Sequence, residues 1–255
     1  MIRGLPLLSA ASTLAALCAC SVSEPAPNIV WVSIDTLRAD HQSCYGYSRP
    51  TSPNIDAVAR EGVLFEDTWS TTCWTLPAHL SMLTGLPISA HCGCGENLSE
   101  SALHPAHFLR GRFLSEDLAA AGYATAGFYS FRYLEPSFGF GRGFETWDFI
   151  PRTFRTVPEL FAKFKELRDS NNVVGMRALA AQHPEEFNVR KVWAGETVQK
   201  GLGWIDAKRE QSKSPFLLFL HIFDVHDPYL PPPPHDHQFD PDFAAEILVP
   251  SNVPQ

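Results

Sequence analysis

The chain has 255 residues, with 20 Lys and Arg against 28 Asp and Glu, a net charge of −8, 45% hydrophobic residues and 19% charged residues. That length predicts one large domain, or two at most, and the apolar share excludes a wholly disordered protein. The acidic balance excludes a general nucleic-acid binder, which carries a basic excess.

Residues 1–20 (MIRGLPLLSAASTLAALCAC) read as an export signal: Arg3 supplies a positive start, and Leu5–Leu17 is small, apolar and too short to span a bilayer. Leu17-Cys18-Ala19 before Cys20 matches a lipoprotein cleavage box, so Cys20 is the candidate lipidation site. Cleavage near Ala19 would instead release a freely secreted protein. The expected location is therefore the periplasm or an outer-membrane lipid anchor, and otherwise the medium. Residues 21–27 have the composition of a tether, leaving 28–255 as the folded domain. Beyond the first twenty residues no apolar run reaches the roughly 18–20 residues of a spanning helix. In an oxidising compartment Cys44, Cys73, Cys92 and Cys94 allow three pairings.

The first strand is expected over Asn28–Ile34 (NIVWVSI), a β-branched run that stops at Asp35. A helix follows over Pro53–Glu61, with Ser52 as its cap, then a second strand over Val63–Trp69. A short helix over Leu76–Leu83 begins near Pro77, and another over Phe113–Ala121 ends at Gly122. Tyr123–Ser130 returns as a strand. Val157–Leu167 and Val192–Lys208 are helical, the latter with Val198, Leu202 and Ile205 on one stripe. Pro215–Ile222 (PFLLFLHI) is the last strong strand, and the tail from Pro231 is Pro-rich and polar. Strands alternating with helices predict an α/β fold with a largely parallel sheet.

Ligands of such sheets sit at the carboxyl ends of strands. Three features fall there. Asp35 ends the first strand, where a carboxylate suits a hard metal or a helix cap. Thr75 stands before a helix start, whose N–H groups and dipole favour an anion and an ionising hydroxyl; alone, it also reads as an N-cap. His221, Asp224, His226 and Asp227 cluster past the last strand, a pattern for charge stabilisation or metal binding. Lesser features have plainer readings: Gly139–Gly143 as tight turns, the Asn97-Leu98-Ser99 sequon as incidental, and Asp236 between His235 and His237 as a solvated loop.

Four stretches in order resemble the sulfatase family of the alkaline-phosphatase superfamily: 28–70, 75–91 (TLPAHLSMLTGLPISAH), 122–149 and 215–232 (PFLLFLHIFDVHDPYLPP). The resemblance implies an alkaline-phosphatase-like fold and a divalent metal at Asp35, with Thr75 as nucleophile and metal contact. It also implies His221 and His226 at or near the ester group. The metal implied is calcium, with zinc or manganese as alternatives. The substrate implied is a small-molecule or glycan ester of sulfate, and the membrane is reached only through the lipid anchor. Where the family carries a second aspartate this chain has Thr36. Where it has the cysteine or serine that becomes formylglycine there is Thr75, and the arginine position is His79, which enters the candidate catalytic set there. Cys73 lies two residues too early for that motif, so formylglycine is not expected. Ser130-Phe131-Arg132-Tyr133 stands where the family has lysine and histidine. A threonine nucleophile is the type used by the superfamily's phosphodiesterase and phospho-transferase branches, which makes phosphate-ester chemistry the alternative. The family is longer than this chain, and its downstream Asp-His or Asp-Asn pair does not appear before Gln255. The chain therefore resembles the N-terminal part of such an enzyme, and a truncated, inactive product is a further alternative.

Overall fold

The computed structural model describes residues 25–91, 111–150, 158–170, 172–183, 193–226, 235 and 238–239. The export signal with Cys20, Cys92, Cys94, the Asn97 sequon, Asp227, Asp236 and the tail from 240 lie outside the described residues. Among the described residues, Cys44 and Cys73 are free thiols, and no helix is long and apolar enough to cross a membrane.

Among the described residues four strands form one sheet: β1 (Ile29–Ile34), β2 (Ala124–Tyr129), β3 (Thr146–Phe149) and β4 (Phe216–Ile222), in the spatial order β1-β4-β2-β3 with every pairing parallel. The helices are α1 (Pro53–Glu61), α2 (Thr75–Thr84), α3 (Ile88–His91), α4 (Leu114–Ala120), α5 (Pro158–Asp169), α6 (Val173–Gln182) and α7 (Trp193–Gln211). The chain is thus an α/β protein with a parallel sheet, as its alternating pattern predicts.

The period of two in each strand sorts side chains between two layers. On β4, Phe216, Leu218 and Leu220 pack with Ala124, Ala126, Phe128 and Ile150 against Val198, Trp204 and Ile205 of α7. On the opposite face Phe219 joins Leu76, Leu80 and Leu83 of α2, together with Phe113, Tyr129, Leu134, Phe138 and Phe140. The central strand β4 is covered on both sides, which is why it reads as an unbroken apolar run. Among the described residues β1 is an edge strand. Its Trp31 meets Phe219 edge-on at 5.9 Å, whereas Val30 and Val32, on the other face, are about half exposed.

Several expectations are corrected. Val63–Trp69 forms no strand; Val63, Phe65 and Trp69 are exposed, because the segment has β propensity but no strand pairs with it among the described residues. Ser52 holds the cap position of α1, but its hydroxyl donates to the Asp56 carboxylate at 2.8 Å and accepts the Ser43 N–H at 3.0 Å, so it caps no helix N–H. α2 begins at Thr75 and not near Pro77. A proline at the third helical position is still within the first turn, where its missing N–H has no acceptor to lose. On α7, Leu202 is 49% exposed. The buried stripe centres on Gly201, whose added Cβ would lie 2.9 Å from the Leu220 side chain, and Leu202 sits about 100° around the helix from it. Strand β3 and helix α6 have no counterpart in the sequence reading. The glycines before β3 make the tight turns expected of them: Gly139, Gly141 and Gly143 all have positive φ. At Gly143 a Cβ would meet the Glu116 backbone nitrogen at 2.3 Å, so this turn also needs glycine for close approach to α4.

Candidate active site

The carboxyl ends of β1 and β4 lie side by side, since Ser33 pairs with His221 and Ile34 with Ile222. One further bond, from the Asp35 N–H to the Ile222 carbonyl at 2.9 Å, carries the ladder past both strands. Asp35 is followed by Thr36, whose φ of 55° is the one positive value at a non-glycine among the described residues. A β-branched residue there is strained. Its hydroxyl donates to the Val225 carbonyl at 3.2 Å, tying the turn after β1 to the turn after β4.

The side chains converge on one oxygen. Asp35 Oδ2 accepts the Thr75 hydroxyl at 3.0 Å and faces His221 Nε2 at 3.3 Å. Asp35 and Thr75 are part-buried, and His221 is fully buried. Burial alone would raise the Asp35 pKa. The hydrogen bond and charge of His221 and the Thr75 hydroxyl, with a smaller contribution from His79, outweigh it and hold the carboxyl below its ordinary value. Asp35 is therefore ionised at neutral pH. Ser130, at the end of β2, donates its buried hydroxyl to the His221 carbonyl at 2.9 Å, fixing β4 against β2 beside the site.

Thr75 is the first residue of α2, and Trp74 occupies the cap position without a side-chain bond to the helix. The first intrahelical bond runs from the Ala78 N–H to the Trp74 carbonyl at 3.1 Å. The N–H groups of Thr75 and Leu76 thus have no intrahelical acceptor, and Pro77 has no N–H at all. The Thr75 hydroxyl reaches Asp35 and does not cap the helix. His79, one turn on, is 3% exposed; its Nδ1 lies 2.7 Å from the Thr75 carbonyl and its Nε2 2.9 Å from Ser33 Oγ. Burial, with a smaller contribution from His221, lowers its pKa to about 4, so the ring is neutral.

The other candidates lie around this core. The His226 ring stacks on Phe223 at 4.1 Å, and Phe223 stacks on Phe131 at 4.3 Å. Asp224 accepts the Ala194 N–H at 3.1 Å, at the start of α7. Cys73 is exposed. Sequence reasoning missed Ser33; alternation along β1 was the available signal, because positions 33 and 35 share a face.

The donor set fits one side of a divalent cation. Two ligands at right angles, each about 2.2 Å from a cation, stand about 3 Å apart, and Thr75 Oγ1 and His221 Nε2 lie at 3.0 and 3.3 Å from Asp35 Oδ2. His221 Nδ1 is buried and unpaired. The fit is partial: among the described residues there is no group of three or more His, Cys, Asp or Glu able to hold a metal.

Comparison with known proteins agrees with this architecture. The sulfatase family model matches residues 27–246. The chain is 32% identical over 101 residues to an N-acetylgalactosamine-6-O-sulfatase of Bacteroides thetaiotaomicron, covering 39% of this chain and 19% of that protein. It is 32% identical over 106 residues to arylsulfatase A of Homo sapiens, covering 41% and 20% respectively. The phosphonate monoester hydrolase of Agrobacterium radiobacter superposes with a TM-score of 0.52 at 21% identity, over 83% of this chain and 43% of that one, a likeness of fold. The matched stretches thus span about a fifth of the length of these two curated relatives.

Proposed function

Because the chain belongs to the sulfatase family, a family of hydrolases, we propose that it cleaves a sulfate ester of a small molecule or glycan, with the Thr75 hydroxyl as the attacking group. The observation that carries this reading is the 3.0 Å contact between that hydroxyl and the Asp35 carboxylate at the start of α2. Asp35, with Thr75 beside it, would hold a divalent metal: calcium, or alternatively zinc or manganese. When bound, such a cation neutralises charge on the transferred group and lowers the pKa of an attacking hydroxyl.

The chain's own groups then do the following. The ionised Asp35 orients the Thr75 hydroxyl through its hydrogen bond. The first N–H groups of α2 point their dipoles at the developing negative charge on the ester oxygens. His221, near the carboxyl end of β4, and His226, on the turn after it, add charge stabilisation. Formylglycine plays no part, because Cys73 precedes the helix start by two residues.

A second reading, a phosphoesterase or phospho-transferase, is favoured by Thr75 itself, since an unmodified hydroxyl serves phosphoryl transfer. Turnover of 4-nitrophenyl sulfate against 4-nitrophenyl phosphate, with calcium, zinc or manganese supplied in turn, separates the two. In either case Thr75→Ala is expected to abolish cleavage while Cys73→Ala leaves it largely intact. Activity that follows Cys73 overturns the assignment. The same reading makes the protein an exported one, with Cys20 lipidated, 21–27 as its tether and 28–255 as the hydrolase domain.

A further inference from the structure

His79 stands where the family resemblance places an arginine, within one helical turn of Thr75, yet its surroundings leave it no acid–base or anion-binding role. A carbonyl oxygen only accepts, so the 2.7 Å contact with the Thr75 carbonyl requires the proton on Nδ1. In the neutral ring Nε2 is then a bare lone pair, and Ser33 donates its hydroxyl to it across 2.9 Å. Both nitrogens are committed, and the ring is buried against Phe219 and His221, at 6.4 and 5.0 Å between ring centroids. Neither a substrate oxygen nor a water can reach it without breaking one of these bonds.

What the ring does join is β1 and α2. Ser33 is in β1 and Asp35 follows the strand directly, its N–H still bonded to the Ile222 carbonyl at 2.9 Å, so the two side chains project to the same side. Ser33 reaches Thr75 through His79, at the main-chain carbonyl; Asp35 reaches Thr75 directly, at the hydroxyl. A single residue is thereby held at two points from the carboxyl end of β1. With only the hydroxyl bond, the start of α2 could shift against β1; with the carbonyl also tied, the hydroxyl and the first N–H groups of α2 keep one orientation relative to Asp35.

We propose that Ser33 and His79 form a clamp that positions Thr75 against Asp35, making both of them positioning residues. This rests on the reading of Thr75 as the attacking group, because only then does the clamp bear on catalysis.

Two measurements on the whole protein test it, one of them independent of turnover. Long-range 1H–15N correlation of the histidine rings should show His79 as the Nδ1–H tautomer with a bare Nε2, and Ser33→Ala should move the Nε2 resonance without moving the proton. An Nε2–H tautomer, or an unchanged Nε2 resonance in Ser33→Ala, overturns the clamp whatever the activity. In kinetics, His79→Gln, which keeps an acceptor for Ser33 but withdraws the donor from the Thr75 carbonyl, should lower kcat about 10- to 100-fold with KM little changed, the size expected for a misplaced reacting group. His79→Asn keeps a donor at the Nδ1 position and should recover most of that loss. Equal losses in Asn and Gln, or a loss confined to KM, would mark His79 as a substrate-contacting group and refute the proposal. If Thr75→Ala still turns over substrate while the tautomer is as described, the clamp stands as structure and it is the reading of Thr75 that fails.

Discussion

Asp35 is the residue on which the site turns. Its Oδ2 is shared by Thr75 and His221, so its replacement frees both at once. Asp35→Asn keeps the shape and removes the charge. It is expected to lower turnover about 10²-fold or more, the usual cost of a lost electrostatic group, and to weaken metal binding measured by calorimetry. Retention of both would displace Asp35 from the centre. His221→Ala and His226→Ala are each expected to cost a similar factor; near-normal rates in both would leave them as packing residues, a role that the His226–Phe223 stack already suits. Tyr129 gives a pH test. Burial, then the nearby carboxylates Glu135 and Asp148, push its phenol from 10 up to about 12. The folded state therefore keeps a proton that the unfolded chain gives up first. Stability is full below pH 10 and falls as pH rises towards 12, and Tyr129→Phe should flatten that fall in denaturant titrations. Asp35, Thr75 and the histidines were legible in sequence because strand ends and a helix start flag them. Ser33 was missed, although alternation puts it on the side of Asp35, because a lone serine inside an apolar run does not name its partner.

At the level of elements, β4 and α2 were readable for the same physical reason: each is a long apolar signal with a defined end. β3 was not, being four residues long and carrying Asp148 within it. It exists because Trp147 fills the space over Gly127, where a Cβ would lie 2.2 Å from the indole ring. The indole also stacks on Tyr129 at 4.9 Å and on Phe219 at 5.6 Å. Gly127→Ala is expected to destabilise the fold by about 1–3 kcal/mol through overpacking, read as a lower midpoint in urea, and a smaller residue at 147 should relieve part of it. No change in midpoint would mean that the indole can move aside. Val63–Trp69 failed in the opposite sense. Its β-branched and aromatic residues have strand propensity, but a strand needs a neighbour to bond to.

For the molecule as a whole, the parallel sheet gathers residues 35, 75 and 221 from distant parts of the chain to one edge, as switch-point sites in α/β folds do. Alternation of strand and helix made that class legible. Among the described residues, Asp35 and Thr75 are those of the proposed metal site, with His221 beside Asp35. Anchoring belongs to this scale too. Fatty-acid labelling is expected in the wild type and lost in Cys20→Ser, and equal labelling in both would mean simple secretion. The central claim, that Thr75 receives the transferred group, is tested most directly by quenching a reaction with an activated sulfate or phosphate ester and sequencing the modified peptide by mass spectrometry. The sulfuryl or phosphoryl mass should sit on Thr75, with Cys73 unmodified; an aldehyde at residue 73, or a covalent adduct on any other side chain, would contradict it.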